Sequence, residues 1–192
     1  GAIGVIRLSG PHAFEKTALF FKPKGQMWNK IQPNKTLLGH FKKKTILIDE
    51  VLITPFKKPN SYTGEDVIEI SCHGSPYILQ QIISCFLDQG VKPANPGEFT
   101  LRAYLNKKMD LSQAEAVADL IASESAEAHR IAMEQMRGGF SREMEKLRQQ
   151  LIQFKALIEL ELDFSEEDVN FAEKTELKSL LDRLEKEIKI LK

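Results

Sequence analysis

Short apolar runs alternate with polar loops over the first 110 residues of the chain. Period-two alternation and β-branched runs predict strands at residues 5–8, 37–41, 45–56, 67–72 and 91–95. Apolar positions at three- and four-residue steps predict helices at 9–21, at 77–89 and from Pro96-Gly97-Glu98 onward. Residues 22–35 read as a loop with two prolines and the single tryptophan. Because the strands are short and some connections are hairpin-like, we expect an α+β domain with a mixed or antiparallel sheet.

The pattern becomes purely helical after Asp110. A capping box can form from Asp110 with Gln113, or from Ser112 with Glu115. A stripe rich in small residues predicts one helix up to Met136, broken by Gly138-Gly139, and Ser141 can cap a second. An acidic loop at 163–168 and a third helix over 177–191 complete the pattern of this all-α domain.

Charge divides the chain at the same place as the apolar pattern. Residues 1–110 hold 15 Lys and Arg against 9 Asp and Glu, whereas residues 111–192 hold 12 against 18. The net charges are therefore +6 and −6, which cancel over the whole chain. We infer two domains, 1–110 and 111–192. The basic tip at residues 42–44 could contact RNA phosphates, or it could be a solvated hairpin turn.

Composition excludes several classes of protein. A chain of 192 residues with 42% hydrophobic residues can bury a core, and it has no apolar run of bilayer length. Cys72 and Cys85 have no ligand spacing, which predicts reduced thiols, a cytoplasmic location and no metal site. The phosphate-binding pattern G-x-x-x-x-G-K-[ST] is absent, so we expect no guanine nucleotide binding by this chain alone.

The candidate chemistry is concentrated in the stretch NSYTGEDVIEISCHGSP, residues 60–76. It predicts a turn at Thr63-Gly64, a strand from Val67 to Cys72, and a helix start with Ser75 as N-cap. Strand alternation places Glu69 on the face opposite Ile68 and Ile70. A carboxylate there either faces solvent or holds a specific partner, since burying an unpaired charge is costly.

Several motifs in this chain resemble the tRNA modification GTPase family MnmE, also called TrmE. They are GVIRLSG near the start, NSYTGEDVIEI with HGSP, PGEFTLRAYLNKKMDLSQAEAVADLI at 96–121, GGFS at 138–141, and ELDFSEEDVNF at 161–171. These motifs follow the family order over nearly the whole chain. The resemblance implies an N-terminal domain similar to folate-binding aminomethyltransferase domains, followed by the first helices of a helical domain. It also implies that an opening strand precedes this segment, and that a GTPase domain, returning helices and a cysteine motif follow it.

The same resemblance implies a function. Proteins of this family work with the flavoprotein MnmG (GidA) to install a 5-carboxymethylaminomethyl-type group on the wobble uridine of tRNA. The one-carbon donor is a tetrahydrofolate derivative, in the 5,10-methylene or 5-formyl form, and the N-terminal domain binds it and forms a homodimer. FAD belongs to the partner, while GTP, Mg²⁺ and K⁺ belong to the GTPase domain. No catalytic residue is expected within this chain.

The family's folate contacts match Arg7 in V-I-R-L-S-G, Glu69 in D-V-I-E-I and Lys108 in Y-L-N-K-K-M-D. A carboxylate such as Glu69 can receive the aminopyrimidine edge of a pterin through charge-assisted hydrogen bonds. Arg7 or Lys108 suits the anionic glutamate tail, and the sequence leaves open which cation takes which group. Two other classes also remain open: a stand-alone folate-dependent aminomethyltransferase-like enzyme, and a dimerisation scaffold without catalytic function.

Overall fold

The structure is a computed structural model that describes residues 1–25, 27–163, 181–182 and 185. The chain divides into two compact units, Gly1–Ala114 and Glu115–Lys192. In the first unit, the described residues form a five-stranded sheet with the order β1-β5-β4-β3-β2, and every adjacent pair of strands is antiparallel. The strands are β1 (Ile3–Ser9), β2 (Phe21–Pro23), β3 (Leu37–Lys43), β4 (Ile46–Phe56) and β5 (Val67–His73). This arrangement confirms the expected α+β class.

The core lies between one face of the sheet and two helices, α1 (Ala13–Ala18) and α2 (Pro76–Leu87). At its centre Phe20, Phe41 and Phe86 pack with ring centroids 5.6–5.7 Å apart. The buried aliphatic residues alternate along the central strands, as at Ile68 and Ile70 on β5. Both cysteines are buried and unpaired, and burial raises the pKa of each thiol.

The first predicted helix is shorter than the pattern indicated. It ends at Ala18, and Phe21 instead begins β2, where it pairs with Phe41 on β3 and is buried. The loop assigned to residues 22–35 therefore starts with a strand, and a 3₁₀ helix at Trp28–Lys30 interrupts it. The tertiary pairing of two core phenylalanines outweighs the local helical spacing.

Residues 91–95 form no strand, contrary to the prediction. The amide of Val91 donates to the carbonyl of Phe86 and closes the end of α2, while Gly90 adopts the left-handed conformation of a helix stop. Two prolines in 93–96 further reduce the donors available for a ladder. On α2, Ile83 and Leu87 are exposed, whereas Cys85 is buried. Ser75 is the N-cap residue, but its side chain makes no capping hydrogen bond.

Among the described residues up to Asp163, α3 (Glu98–Leu105) is followed by three helices: α4 (Leu111–Ala122), α5 (Ala126–Met136) and α6 (Gly139–Asp163). Asp110 and Gln113 form the expected capping box, with reciprocal hydrogen bonds of 2.9 and 3.0 Å. The single helix predicted up to Met136 is wrong, because Ser125 accepts a hydrogen bond from the Ala128 amide and starts α5. α6 begins at Gly139 rather than at Ser141. The predicted acidic loop and third helix lie almost entirely outside the described residues.

Candidate functional site

The site is built where β1 and β5 lie side by side at one edge of the sheet. Their antiparallel register makes Arg7 the direct partner of Glu69. Arg7 donates from Nε and Nη2 to Oε1 of Glu69 at 2.9 and 2.6 Å. The side chains are 39% and 30% exposed, so the ion pair is open to solvent and to a ligand. Both donors contact Oε1, and no donor among the described residues contacts Oε2.

Two aromatic rings flank the guanidinium of this ion pair. The Cζ atom of Arg7 lies 5.6 Å from the ring centroid of Tyr62 and 5.6 Å from that of Phe99. Tyr62 belongs to the loop before β5, and Phe99 belongs to α3. The Tyr62 hydroxyl and the Thr100 hydroxyl are 2.9 Å apart, so a hydrogen bond ties the loop to the helix. Arg7 is therefore held in place by the carboxylate and by cation–π contacts.

A polar network fixes the loop between β4 and β5. The Ser9 hydroxyl donates to Glu65 at 2.6 Å and lies 2.7 Å from the Thr63 hydroxyl. Arg102 on α3 donates to both Glu65 and Glu98, which raises the pKa of the guanidinium, chiefly through Glu98. The same contact from Arg102 lowers the pKa of Glu98. The network connects β1, the loop and α3, which are the three elements that carry the Arg7 site.

Asp66 anchors the other end of this loop. Its carboxylate is buried and accepts hydrogen bonds from the Lys58 amide and the Lys57 ammonium, each at 3.0 Å. Burial alone would raise the pKa of Asp66, but these donors outweigh it, and the pKa is below its ordinary value. The carbonyl of Asp66 also accepts from the Gly10 amide at 3.0 Å.

Lys108 lies against the same loop but makes no hydrogen bond or ion pair with Arg7 or Glu69. Its ammonium donates to the Pro59 carbonyl at 3.0 Å, and its side chain passes beside Gly64, whose φ of 77° suits glycine. The structure thus brings Arg7 and Glu69 into direct contact and places the side chain of Lys108, which follows α3, against the loop that carries Tyr62. Whether these three residues share one ligand remains a prediction.

Two cavities open beside these elements. The larger, of about 970 Å³, is lined by residues 8–13, 89–93, 95–97 and part of α3, including Arg102. The smaller, of about 240 Å³, reaches Arg7 and Phe99 and shares Arg102 and Glu98 with the larger one.

In the part of the chain that the structure describes, no group of three or more His, Cys, Asp or Glu residues could hold a metal ion. Among the same residues, no helix has both the length and the apolar character needed to cross a bilayer.

Sequence reasoning did not single out Tyr62, Phe99 or the Ser9–Glu65–Arg102 network. Tyr62 and Phe99 lie within the motifs NSYTGED and PGEFTLR, but only the fold shows that both rings face the same arginine. The available signal was an aromatic residue in a polar loop, which is seldom needed for a core. The contacts themselves join residues as much as 92 positions apart, beyond the reach of local pattern.

The chain is therefore a protein of the α+β class: an antiparallel α+β domain with an ion pair on its edge strand, followed by helices. The family model described as "GTP-binding protein TrmE N-terminus" matches residues 1–108, and the model described as "MnmE helical domain" matches residues 111–192. The chain therefore belongs to the TrmE (MnmE) family and comprises its N-terminal and helical domains.

Curated relatives agree with this assignment. Proteins named "tRNA modification GTPase MnmE" are 54% identical in Bacteroides thetaiotaomicron, over 98% of this chain, and 55% identical in Christiangramia forsetii, over all of it. The protein of that name in Flavobacterium johnsoniae is 57% identical over 96% of this chain. The chain spans about two fifths of the length of these relatives, 40–41%.

Proposed function

We propose that this chain is the folate-binding and dimer-forming part of a tRNA modification GTPase. In this proposal the whole protein acts with the flavoprotein MnmG and installs a 5-carboxymethylaminomethyl-type group on the wobble uridine of tRNA. GTP hydrolysis, with its Mg²⁺ and K⁺, belongs to a GTPase domain that this chain does not contain. The family match and the names of the relatives support this assignment.

The observation that carries folate binding is the solvent-accessible Arg7–Glu69 pair between two aromatic rings. A pterin presents two neighbouring N–H donors on its aminopyrimidine edge, which suit a carboxylate. Glu69 keeps Oε2 open for such a donor, while Arg7 fixes its other oxygen. Tyr62 and Phe99 supply planar apolar surfaces of the kind that line small-molecule sites. The residues present therefore fit a folate.

The cations provide the second half of the recognition. Folate ends in a glutamate tail, whose carboxylates suit an ammonium or a guanidinium. Lys108 uses one donor on the Pro59 carbonyl and retains two on its ammonium group. Because Arg7 already pairs with Glu69, we assign the tail to Lys108 and the positioning of Glu69 to Arg7. The bound folate would supply the one-carbon unit.

The test is binding of 5-formyltetrahydrofolate to the Glu69→Gln variant, measured by calorimetry. Glutamine keeps the shape of the side chain and removes its charge, so one charge-assisted interaction weakens. We expect affinity to fall roughly tenfold or more, which corresponds to about 1.5–3 kcal/mol. The Arg7–Glu69 pair is solvent-exposed, so its loss should cost at most about 1 kcal/mol of stability.

Glu50→Gln is the matched control, because Glu50 is another exposed carboxylate that pairs with a cation across the sheet, Lys24. That variant should bind folate like the parent chain. Unchanged folate affinity in a folded Glu69→Gln protein would reject the assignment of Glu69. Absence of folate binding to the parent chain would instead favour the dimerisation scaffold.

Homodimer formation is the other part of the proposal. Ile3 and Val5 on the edge strand β1 are 73% and 60% exposed, and Leu38 and Leu52 are exposed farther along the same sheet. The register aligns Val5 with Ser71, Ser71 with Leu52, and Leu52 with Leu38. Such an apolar row on the face away from the core supports contact with a second copy of the chain.

A further inference from the structure

The charge of the first unit is concentrated in one short segment. Residues 16–44 contain eight lysines, no arginine and no Asp or Glu, although residues 1–110 as a whole have a net charge of only +6. This segment includes β2, the edge strand opposite to β1, and its neighbour β3. Lys43 pairs with Asp88 on α2 and Lys16 lies on α1. We name the remaining six the lysine edge: Lys22, Lys24, Lys30, Lys35, Lys42 and Lys44.

The fold holds the lysine edge in a defined arrangement. Lys22 is the cross-strand partner of His40, on the face opposite the buried Phe21–Phe41 pair, and Lys42 lies two residues beyond His40 on β3. The loop that carries Lys30 and Lys35 is fixed by Trp28 packing on Phe21, with centroids 5.9 Å apart. Its far end is held by the Asn34 amide, which donates to the Pro55 carbonyl at 2.8 Å.

Most of these lysines lack a compensating carboxylate. Lys24 pairs with Glu50, which also lies 3.4 Å from His40, and the contact with Lys24 lowers the pKa of Glu50. Lys22, Lys30, Lys35, Lys42 and Lys44 form no ion pair with any residue that the structure describes. Unpaired like charges on one edge produce a positive potential that favours binding of a polyanion.

We propose that the lysine edge binds the phosphate backbone of RNA. This inference rests on the proposed function, since a tRNA-modifying protein has RNA as its substrate. Lysine is a point charge that suits phosphate without fixed geometry, whereas arginine is preferred where planar, bidentate contacts are made. Protein–protein interfaces are depleted in lysine and enriched in arginine, so an edge with six lysines and no arginine fits RNA better than an acidic protein.

The topology separates this surface from the folate site. Four strand spacings of about 4.8 Å place the β2 edge roughly 19 Å from β1, where Arg7 lies. The two surfaces can therefore be tested independently. Substitution on the lysine edge should leave folate affinity unchanged, and Glu69→Gln should leave RNA affinity unchanged.

The experiment measures binding of a fluorescein-labelled tRNA transcript by anisotropy between 50 and 200 mM salt. Each lost phosphate contact should reduce the slope of log Kd against log salt by about 0.7–0.9. The double variant Lys22→Gln/Lys42→Gln should therefore lower the slope by roughly 1.5 and weaken binding at 50 mM salt. The matched control is Lys146→Gln/Lys155→Gln on α6, which removes the same charge and should leave the slope unchanged.

Three outcomes would overturn the proposal: no tRNA binding by the parent chain, equal slopes for the two double variants, or RNA binding that is weakened as much by the control. Retention on phosphatidylserine vesicles through the lysine edge, without tRNA binding, would assign the surface to a membrane instead. Folate affinity measured on the same samples keeps the two proposals distinct. If the lysine-edge test fails and folate binding is normal, the proposed function stands. If folate binding is absent and RNA binding through the lysine edge is normal, the folate assignment fails and the lysine edge stands.

Discussion

At the scale of single residues, the carboxylates of Glu69 on β5 and Asp66 just before it have different roles. Glu69 shares one oxygen with Arg7 and keeps the other accessible, which suits ligand recognition. Asp66, three residues earlier, is buried and receives donors from Lys57 and Lys58. Its contacts fix the loop that carries Tyr62. The distinction follows from solvent access, because only an accessible acceptor can exchange water for a ligand.

Asp66→Asn tests the anchoring role. Asparagine keeps the shape, but it weakens the hydrogen bonds from the Lys58 amide and the Lys57 ammonium. We expect a loss of about 1–3 kcal/mol in the free energy of unfolding at pH 7. The native pKa of Asp66 is depressed, so its contribution is present above the unfolded pKa of about 3.9 and is lost as pH falls through the lower native value.

Urea unfolding of the parent and of Asp66→Asn at pH 7 and at pH 3 measures this difference. The stability gap should narrow at pH 3, where the unfolded carboxyl is mostly protonated. Asp88→Asn is the control, because Asp88 pairs with Lys43 at an exposed position and should change stability by less than about 1 kcal/mol. A gap that stays constant with pH would contradict the ionic role of Asp66.

At the scale of elements, the close contact between β2 and β3 explains why the sheet extends beyond the predicted strands. Gly39 faces the core directly beneath the ring of Phe21, and a Cβ atom there would overlap that ring and the Lys22 carbonyl. Gly39→Ala should therefore lower the free energy of unfolding by about 1–3 kcal/mol through overpacking. Leu47→Ala, at an exposed position on β4 outside the apolar row, is the control and should cost less. Chemical denaturation measures both, and equal costs would contradict the contact.

The elements also show what local pattern can predict. Period-two alternation located β3, β4 and β5 and the outward position of Glu69, because a strand's side chains alternate regardless of its partners. Local pattern did not predict β2 or the break between α4 and α5. Those depend on a phenylalanine pair 20 residues apart and on one serine side chain that competes with a continuous helix. The Arg7–Glu69 contact needed the register of strands 62 residues apart.

At the scale of the whole molecule, the proposed homodimer gives the last prediction. The apolar row of Val5, Leu52 and Leu38, with Ile3 beside it, remains exposed on the face of the sheet away from the core. A stable dimer buries about 1,200–2,000 Å² in total, so the interface must extend beyond these four residues. Light scattering at tens of micromolar should give about twice the chain mass of 21.8 kDa.

The Val5→Lys variant places a charge within this apolar row and should give the monomer mass. Lysine is tolerated at an exposed strand position, so the sheet itself should persist, which circular dichroism would show. Leu19→Lys is the matched control, because Leu19 is comparably exposed but follows α1, which packs on the opposite face of the sheet. That variant should remain dimeric. A monomeric parent chain would reject the homodimer. A dimeric Val5→Lys protein would place the interface away from β1, because burying an unpaired lysine in the interface would cost several kcal/mol.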